Sequence, residues 1–287
     1  MNNHHHVAPS NILDRRLLGQ QFGVSPTAER GNFLGAEREQ LLEELVQIVD
    51  HQWRSDLARG LIKGFLLCGP PGTGKTTTAK RLAYELSGRF EEPGSVAPVV
   101  MAVLDGGEIA RSRYGESEER IRDIFLHARS GFRQQNQRSV ILFDDVESVF
   151  MARGNQNAKE WHFSQNSVFF HAIDDLDTNR SIVVLTSNRP DLIDEAIRDR
   201  FLTYYLEYPD PETMVTIAMN IADQQRLPRD RRDHLESQLR QSVATGAIRS
   251  IRDVERFFVQ HYVANVLGRP SLARPTGAPP SEFAAIA

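Results

Sequence analysis

The sequence predicts an α/β protein: a parallel sheet covered by helices on both faces, continued by a purely helical segment. Three observations carry this prediction. Short apolar runs, each of strand length, recur at 64–68, 99–104, 140–143, 181–185 and 204–208. Stretches with helical spacing separate them, and strands that alternate with helices at this spacing pair in parallel with both faces buried. From Pro211 onward the helical spacing continues without a further strong strand.

In chain order, residues 1–30 are polar and broken by Pro9, Gly19, Gly23 and Pro26, with one apolar patch at Ile12, Leu13, Leu17 and Leu18. This extension is expected either to dock as a short helix or to stay mobile, and is too short for a separate substrate-binding domain. At 36–57, Leu41, Leu42, Leu45, Ile48 and Val49 form one apolar stripe of a helix. The strand at 64–68 leads into a glycine-rich loop and a helix. After a Pro- and Gly-containing connection at 91–98 come the second strand and a helix at 116–129, with Ile121, Ile124, Phe125 and Ala128 inward. A helix at 167–176 joins the third strand to the fourth, and Pro209 closes the fifth. Helices follow at 212–225, 233–244 and 251–267. Residues 268–287, rich in Pro, Ala and Ser, read as a disordered tail. The expected division is an extension at 1–30, a large α/β domain at 31–209, a helical lid at 210–267 and the tail.

The chain has 287 residues, 40% hydrophobic and 25% charged, which is ordinary for a soluble globular protein. A net charge of −4 gives no reason to expect nucleic acid as the main partner. One cysteine, Cys68, excludes an intrachain disulfide framework and fits a reducing, cytoplasmic compartment; in its apolar run it reads as a small buried residue. No apolar run approaches the length of a membrane span.

Chemistry enters at Gly69-Pro70-Pro71-Gly72-Thr73-Gly74-Lys75-Thr76-Thr77, between a buried strand and a helix. Glycines let the backbone curl so that N–H groups converge on phosphate oxygens, and the helix N-terminus adds partial positive charge. Lys75 is placed to reach the outer phosphates of a nucleoside triphosphate, and the Thr76 hydroxyl to bind Mg²⁺. The third strand delivers Asp144-Asp145. Asp144 is the candidate to hold the Mg²⁺ shell and Asp145 to activate the attacking water. The fourth strand ends in Thr186-Ser187-Asn188, and Asn188 is expected beside the end of the second strand, its amide facing the terminal phosphate or the water. Glu147, two residues past Asp145, is expected to point away from these carboxylates.

These motifs, with YGESEERIRDIF at 114–125, ILFDDVES at 141–148 and LTSNRPDLIDEAIRDRF at 185–201, closely resemble the AAA+ ATPases, and within them the AAA clade of protein-remodelling enzymes. The resemblance runs from about residue 32 to about residue 265. It implies a RecA-like domain with sheet order 5-1-4-3-2, a helical lid, and hexameric rings with ATP between subunits. Carried over by position, Asn188 matches the sensor asparagine, and Arg200 the arginine finger that reaches a neighbour's γ-phosphate. A guanidinium suits that task, being always charged and presenting a planar fork. Arg198 is a second candidate, although Asp199 separates the two arginines where many relatives have them adjacent or bracketing Pro-Gly. In the lid, Arg252 matches the second sensor, with Arg249 as the alternative one helical turn away.

Two departures from the pattern shape the functional expectation. Where relatives mostly carry Asp-Glu, this chain has Asp144-Asp145. Asp is one methylene shorter, so the carboxylate retreats by about 1.5 Å, and a misplacement of that size can cost on the order of a hundredfold in rate. Slow hydrolysis is therefore expected. Asp145→Glu should raise the single-turnover hydrolysis rate; an unchanged or lower rate would count against this reading. At the segment that lines a ring's central pore, Arg113 takes the usual aromatic position, leaving Tyr114 as the candidate to grip a polypeptide. Residues 153–165, with Trp161 and Phe163, are either a second pore-facing loop or a surface loop. The resemblance thus implies an ATP-driven ring that remodels a protein. The compact AAA ATPases that act on HORMA-domain proteins are the suggested functional neighbours, on the strength of Asp-Val-Glu-Ser at 145–148. A slow nucleotide-gated scaffold or timer is the alternative, and a nucleic-acid motor the third.

Overall fold

The computed structural model describes residues 20–23, 35–55, 62–90, 99–111, 115–135, 137–151, 160–224, 227 and 229–267. Its centre is a sheet built from β2 (Gly64–Cys68), β3 (Val99–Asp105), β4 (Arg138–Asp144), β5 (Ser181–Ser187) and β6 (Leu202–Tyr205), all mutually parallel, with β1 (Gln20–Gly23) antiparallel on β3. The spatial order is β1-β3-β4-β5-β2-β6. Counted along the chain, the parallel strands stand in the expected order 5-1-4-3-2.

The strands look continuously apolar because both of their faces are covered. Phe65, Leu67, Val99, Met101, Val140, Leu142, Ile182 and Val184 face one way and pack with helices α1 (Ala36–Arg54) and α2 (Lys75–Arg89). Their alternates Leu66, Cys68, Ala102, Leu104, Ile141, Phe143, Val183 and Leu185 face the other way, against α4 (Glu116–Gln135) and α5 (Glu160–Asp174). A short helix, α3 (Gly106–Arg111), precedes α4, and α6 (Glu195–Arg198) follows β5. Each fully buried aliphatic or aromatic side chain contributes about 1.5–3 kcal/mol, so these two layers dominate stability. The second holds an aromatic cluster: Phe169 lies 4.3 Å from Phe150 and 5.3 Å from Phe143 between ring centroids. Helices α7 (Pro211–Gln224), α8 (Arg229–Ala244) and α9 (Ile251–Leu267) enclose a third, separate cluster that includes Ile217, Leu235, Leu239 and Val254.

Several boundaries depart from the sequence expectation. Strand β1 falls inside the extension expected to be helical or mobile. It is recruited through backbone pairing to the exposed edge of β3, which places no demand on side-chain alternation and so leaves no signal in Gln-Gln-Phe-Gly. Residues 1–19 lie outside the description, as do 268–287. Strand β6 starts at Leu202 rather than 204, because on an edge strand exposed side chains such as Leu202 and Tyr205 do not mark the limits. Helix α5 begins at Glu160, so Trp161 and Phe163 fall within a helix rather than a loop, whichever way that loop was expected to face; residues 152–159 are outside the description.

Candidate active site

Strands β2, β4 and β5 are adjacent, so their carboxyl ends bring three sequence-distant segments together, as open α/β sheets do at their ligand crevices. The loop 69–74 leaves β2 and enters α2 with Gly74 as a left-handed N-cap. No side chain caps α2 and its first turn has no acidic residue, so no carboxylate of the helix itself offsets its positive end, which faces the crevice. Lys75 is 5% exposed, and its Nζ donates to the carbonyls of Gly69 and Pro70 and to Asn188 Oδ1, each at 2.8 Å. Burial lowers the Lys75 pKa, opposed by the nearby Asp145, Glu147 and Asp144. Thr73 is buried, its hydroxyl donating to Pro70 O at 3.0 Å, which braces the loop from within.

Opposite the loop, Thr76 Oγ1 donates to Asp144 Oδ1 at 2.8 Å. Thr186 on β5 donates to the same oxygen at 2.5 Å and accepts from the Asp145 backbone N–H at 3.0 Å. Thr186 was not singled out from sequence; its place two residues before Asn188, on the strand beside β4, was the available signal. A hydroxyl paired with one carboxylate is the hard-oxygen donor set that suits Mg²⁺, which keeps water and phosphate for its other positions. Among the described residues no group of three or more His, Cys, Asp or Glu forms an all-protein cage. Thr76 and Asp144 therefore fit the ion as it is held in triphosphate sites.

Asp145 has φ 54° and ψ 53°, the only positive φ outside glycine among the described residues. A left-handed residue costs about 1–2 kcal/mol, less for Asp. It turns the chain off the strand into a 3₁₀ turn, Val146–Ser148. Gly106, at the start of α3, lies under this turn; a Cβ there would meet the Asp145 carbonyl at 2.3 Å, so only glycine fits. Although Asp145 as a residue keeps access to solvent, partial burial of its carboxyl, then Asp144 and Glu147, push its pKa up. Lys75 and the Asn188 hydrogen bond oppose this.

Two expectations about this corner are overturned. Asn188 sits between the ends of β2 and β4, where β5 lies, and not beside the second strand, β3. Glu147 does not point away: its Oε1 lies 3.4 Å from the Asn188 backbone N and 3.3 Å from Asn188 Nδ2, while Asp145 Oδ1 accepts from the same Nδ2 at 2.9 Å. The expectation assumed that strand geometry continued past Asp145. The left-handed residue ends it, and the buried Val146, Val149 and Phe150 anchor the turn so that Glu147 faces the crevice.

The remaining candidates are more dispersed. Cys68 is buried, its thiol pushed up to about 11 mainly by that burial. Helix α9 touches the loop 69–74: Ile251 N–H donates to Gly72 O at 3.0 Å, and a Cβ on Gly72 (φ +81°) would lie 2.8 Å from Ser250 Oγ and 3.2 Å from Arg252 Cβ. Arg252 thus starts beside the loop, whereas Arg249 donates to Gly246 O at 2.8 Å, within the connection between α8 and α9. Arg198 is exposed at the end of α6. Arg200 donates to Ala196 O at 2.7 Å, lies 3.3 Å from Asp174 and covers the Phe170 ring at 4.6 Å. Arg113 and Tyr114 lie outside the described residues.

Residues 65–206 match the ATPase family associated with various cellular activities (AAA). The chain belongs to the AAA+ ATPases. An "AAA ATPase forming ring-shaped complexes" from Rothia mucilaginosa is 36% identical over 138 residues, 47% of this chain and 22% of that protein. The vesicular-fusion protein SEC18 of Saccharomyces cerevisiae is 34% identical over 143 residues, 47% of this chain and 17% of that one. Spastin from Gallus gallus is 27% identical over 223 residues, 75% of this chain and 33% of spastin. The matched stretch spans about a fifth of the length of the ring-forming ATPases and the SEC18 proteins that it matches. Among solved structures, the FIGL-1 AAA domain in complex with ADP superposes with a TM-score of 0.60 at 23% identity, covering 82% of this chain and 73% of that one. A chain of the E. coli MS115-1 HORMA:CdnC:Trip13 complex gives 0.66 at 15% identity, covering 90% and 92%. At these identities the two structures speak to the AAA fold alone.

Proposed function

We propose that this AAA+ protein binds ATP with Mg²⁺ at the crevice formed by β2, β4 and β5, hydrolyses it, and uses the cycle to remodel a protein as a homo-oligomeric, hexameric ring in the cytoplasm. The observation that carries the proposal is the convergence of Lys75, Asp144 and Asn188 from three separate strand ends. In this reading the loop 69–77 cradles the phosphates, and Thr76 and Asp144 hold the ion, which screens phosphate charge when bound. Asp145 accepts a proton from water, Asn188 orients that water or the terminal phosphate, and Arg252 approaches from the lid. Residues 31–209 act as the nucleotide-binding body and 210–267 as the lid; the contact of α9 with Gly72 supports a lid that responds to the loop. Among the described residues no helix is long and apolar enough to cross a membrane.

The ring assembly draws support from the Rothia relative's description, and a HORMA-domain client is proposed from the sequence resemblance at Asp-Val-Glu-Ser, 145–148. Asp145 in place of Glu favours the second reading, a slow timer or scaffold. ATPase turnover measured with and without an unfolded polypeptide separates the two. A remodeller should be stimulated by the polypeptide, because a gating step rather than chemistry then limits turnover. Slow turnover unmoved by polypeptide would favour the timer, and stimulation by DNA that falls steeply with salt would favour a nucleic-acid motor.

A further inference from the structure

The Asn188 amide is held by charge on both sides. Its Oδ1 accepts from the Lys75 ammonium at 2.8 Å, and its Nδ2 faces Asp145 at 2.9 Å and Glu147 at 3.3 Å. Flipping the amide would set NH₂ against a cation and a carbonyl oxygen against two carboxylates, so the orientation is chemically fixed. Glu147 touches Asn188 twice, since the same Oε1 also lies 3.4 Å from its backbone N–H. One carboxylate oxygen therefore ties the end of β5 and the side chain leaving it to the end of β4.

We propose that Glu147 is a positioning residue of this site, holding Asn188 in the orientation that presents Oδ1 to Lys75 and an N–H to Asp145. This rests on the ATP-hydrolysis reading for its kinetic consequence and on geometry alone for the hold itself. The role calls for an acceptor at Oε1 rather than for a negative charge. Glu147 Oε2 is buried and takes no hydrogen bond from a described residue, so an amide nitrogen placed there would break no protein contact. The anchoring of the 3₁₀ turn by Val146, Val149 and Phe150 explains how so short a segment can aim one side chain reproducibly. Asp145, shortened relative to its counterparts, depends on such a fixed partner to keep its reach toward water.

The test compares Glu147→Ala with Glu147→Gln in the full chain. Glu147→Ala should lower kcat by about a hundredfold, the scale of an ångström-sized misplacement, while KM and the affinity for a non-hydrolysable ATP analogue stay within about threefold. Glu147→Gln, whose amide oxygen can accept the same two N–H groups, should restore kcat to within about fivefold of the parent. A kcat for Glu147→Ala within twofold of the parent overturns the proposal. So does a Glu147→Gln variant as impaired as Glu147→Ala, or a loss of analogue affinity equal to the loss of turnover. The Asn188 side-chain NH₂ resonances, assigned through Asn188→Ala, give a readout that needs no hydrolysis. They should shift and exchange faster in Glu147→Ala and stay near the parent positions in Glu147→Gln. Unmoved resonances in Glu147→Ala overturn the proposal even if the parent protein proves inactive, an outcome that would instead sink the ATPase reading.

Discussion

Lys75→Ala is expected to weaken ATP binding by about 10²–10⁴-fold, measured by titration with a fluorescent ATP analogue. Hydrogen bonds to charged groups contribute about 1.5–3 kcal/mol each, and an ammonium facing the outer phosphates makes at least two of them. At 1.4 kcal/mol per decade, two such bonds give the quoted range. In the structure all three Lys75 protons are engaged, by Gly69 O, Pro70 O and Asn188 Oδ1. A triphosphate must therefore draw the ammonium from neutral acceptors toward anionic ones, an exchange that charge favours. Removing the side chain also leaves two loop carbonyls and Asn188 without their donor, so a modest fall in Tm should accompany the loss of binding. Lys75→Arg should not restore affinity, because a planar guanidinium cannot reproduce three diverging N–H bonds in a buried slot. Binding by Lys75→Ala within threefold of the parent would refute the placement of phosphates against this loop.

The parts of the site that were legible in the sequence are those whose position follows from regular geometry. A glycine-rich loop between a strand and a helix can only curl around the helix N-terminus, which put Lys75 and Thr76 where they stand. A strand five to seven residues long delivers its last residue to the sheet's carboxyl edge, which located Asp144 and Asn188 up to the choice of neighbouring strand. Legibility ended where the chain leaves regular structure. Nothing in Asp144-Asp145-Val146-Glu147 announces that Asp145 adopts a left-handed conformation, yet that single residue decides which way Glu147 faces. Thr186 was hidden for a different reason: on a fully buried strand a threonine passes for a small β-former unless the strand order is known, and its hydroxyl matters only because β4 ends beside it. Strand β1 was missed because edge pairing is a backbone event that four residues can join without a pattern. The contact between α9 and Gly72 joins residues far apart in sequence and follows from the packing of the third apolar cluster, which periodicity alone does not orient.

Arg200→Ala is expected to leave ATP binding within about threefold of the parent while lowering turnover by about 10³-fold, the lower end of what an arginine finger supplies. Within its own subunit the guanidinium is already placed: Ala196 O accepts from Nη1, Asp174 faces Nε, and the Phe170 ring lies beneath. These contacts leave the side chain 34% exposed and stiffen it, so a finger held this way would lose little freedom on meeting a neighbour's phosphate. They also offer a rival account in which Arg200 only pins α6 to α5. Mixing separates the two. On the finger reading, Lys75→Ala subunits have a finger but no working loop, and Arg200→Ala subunits have a loop but no finger. In a head-to-tail ring, random mixing in equal amounts pairs an intact loop with an intact finger at about one interface in four, because each partner is drawn with a chance of one half. Turnover should then recover to about a quarter of the parent rate from two preparations that are each nearly inactive. A pinning role predicts no recovery, because each subunit would keep its own defect, and it predicts a lowered Tm for Arg200→Ala in place of a selective loss of turnover.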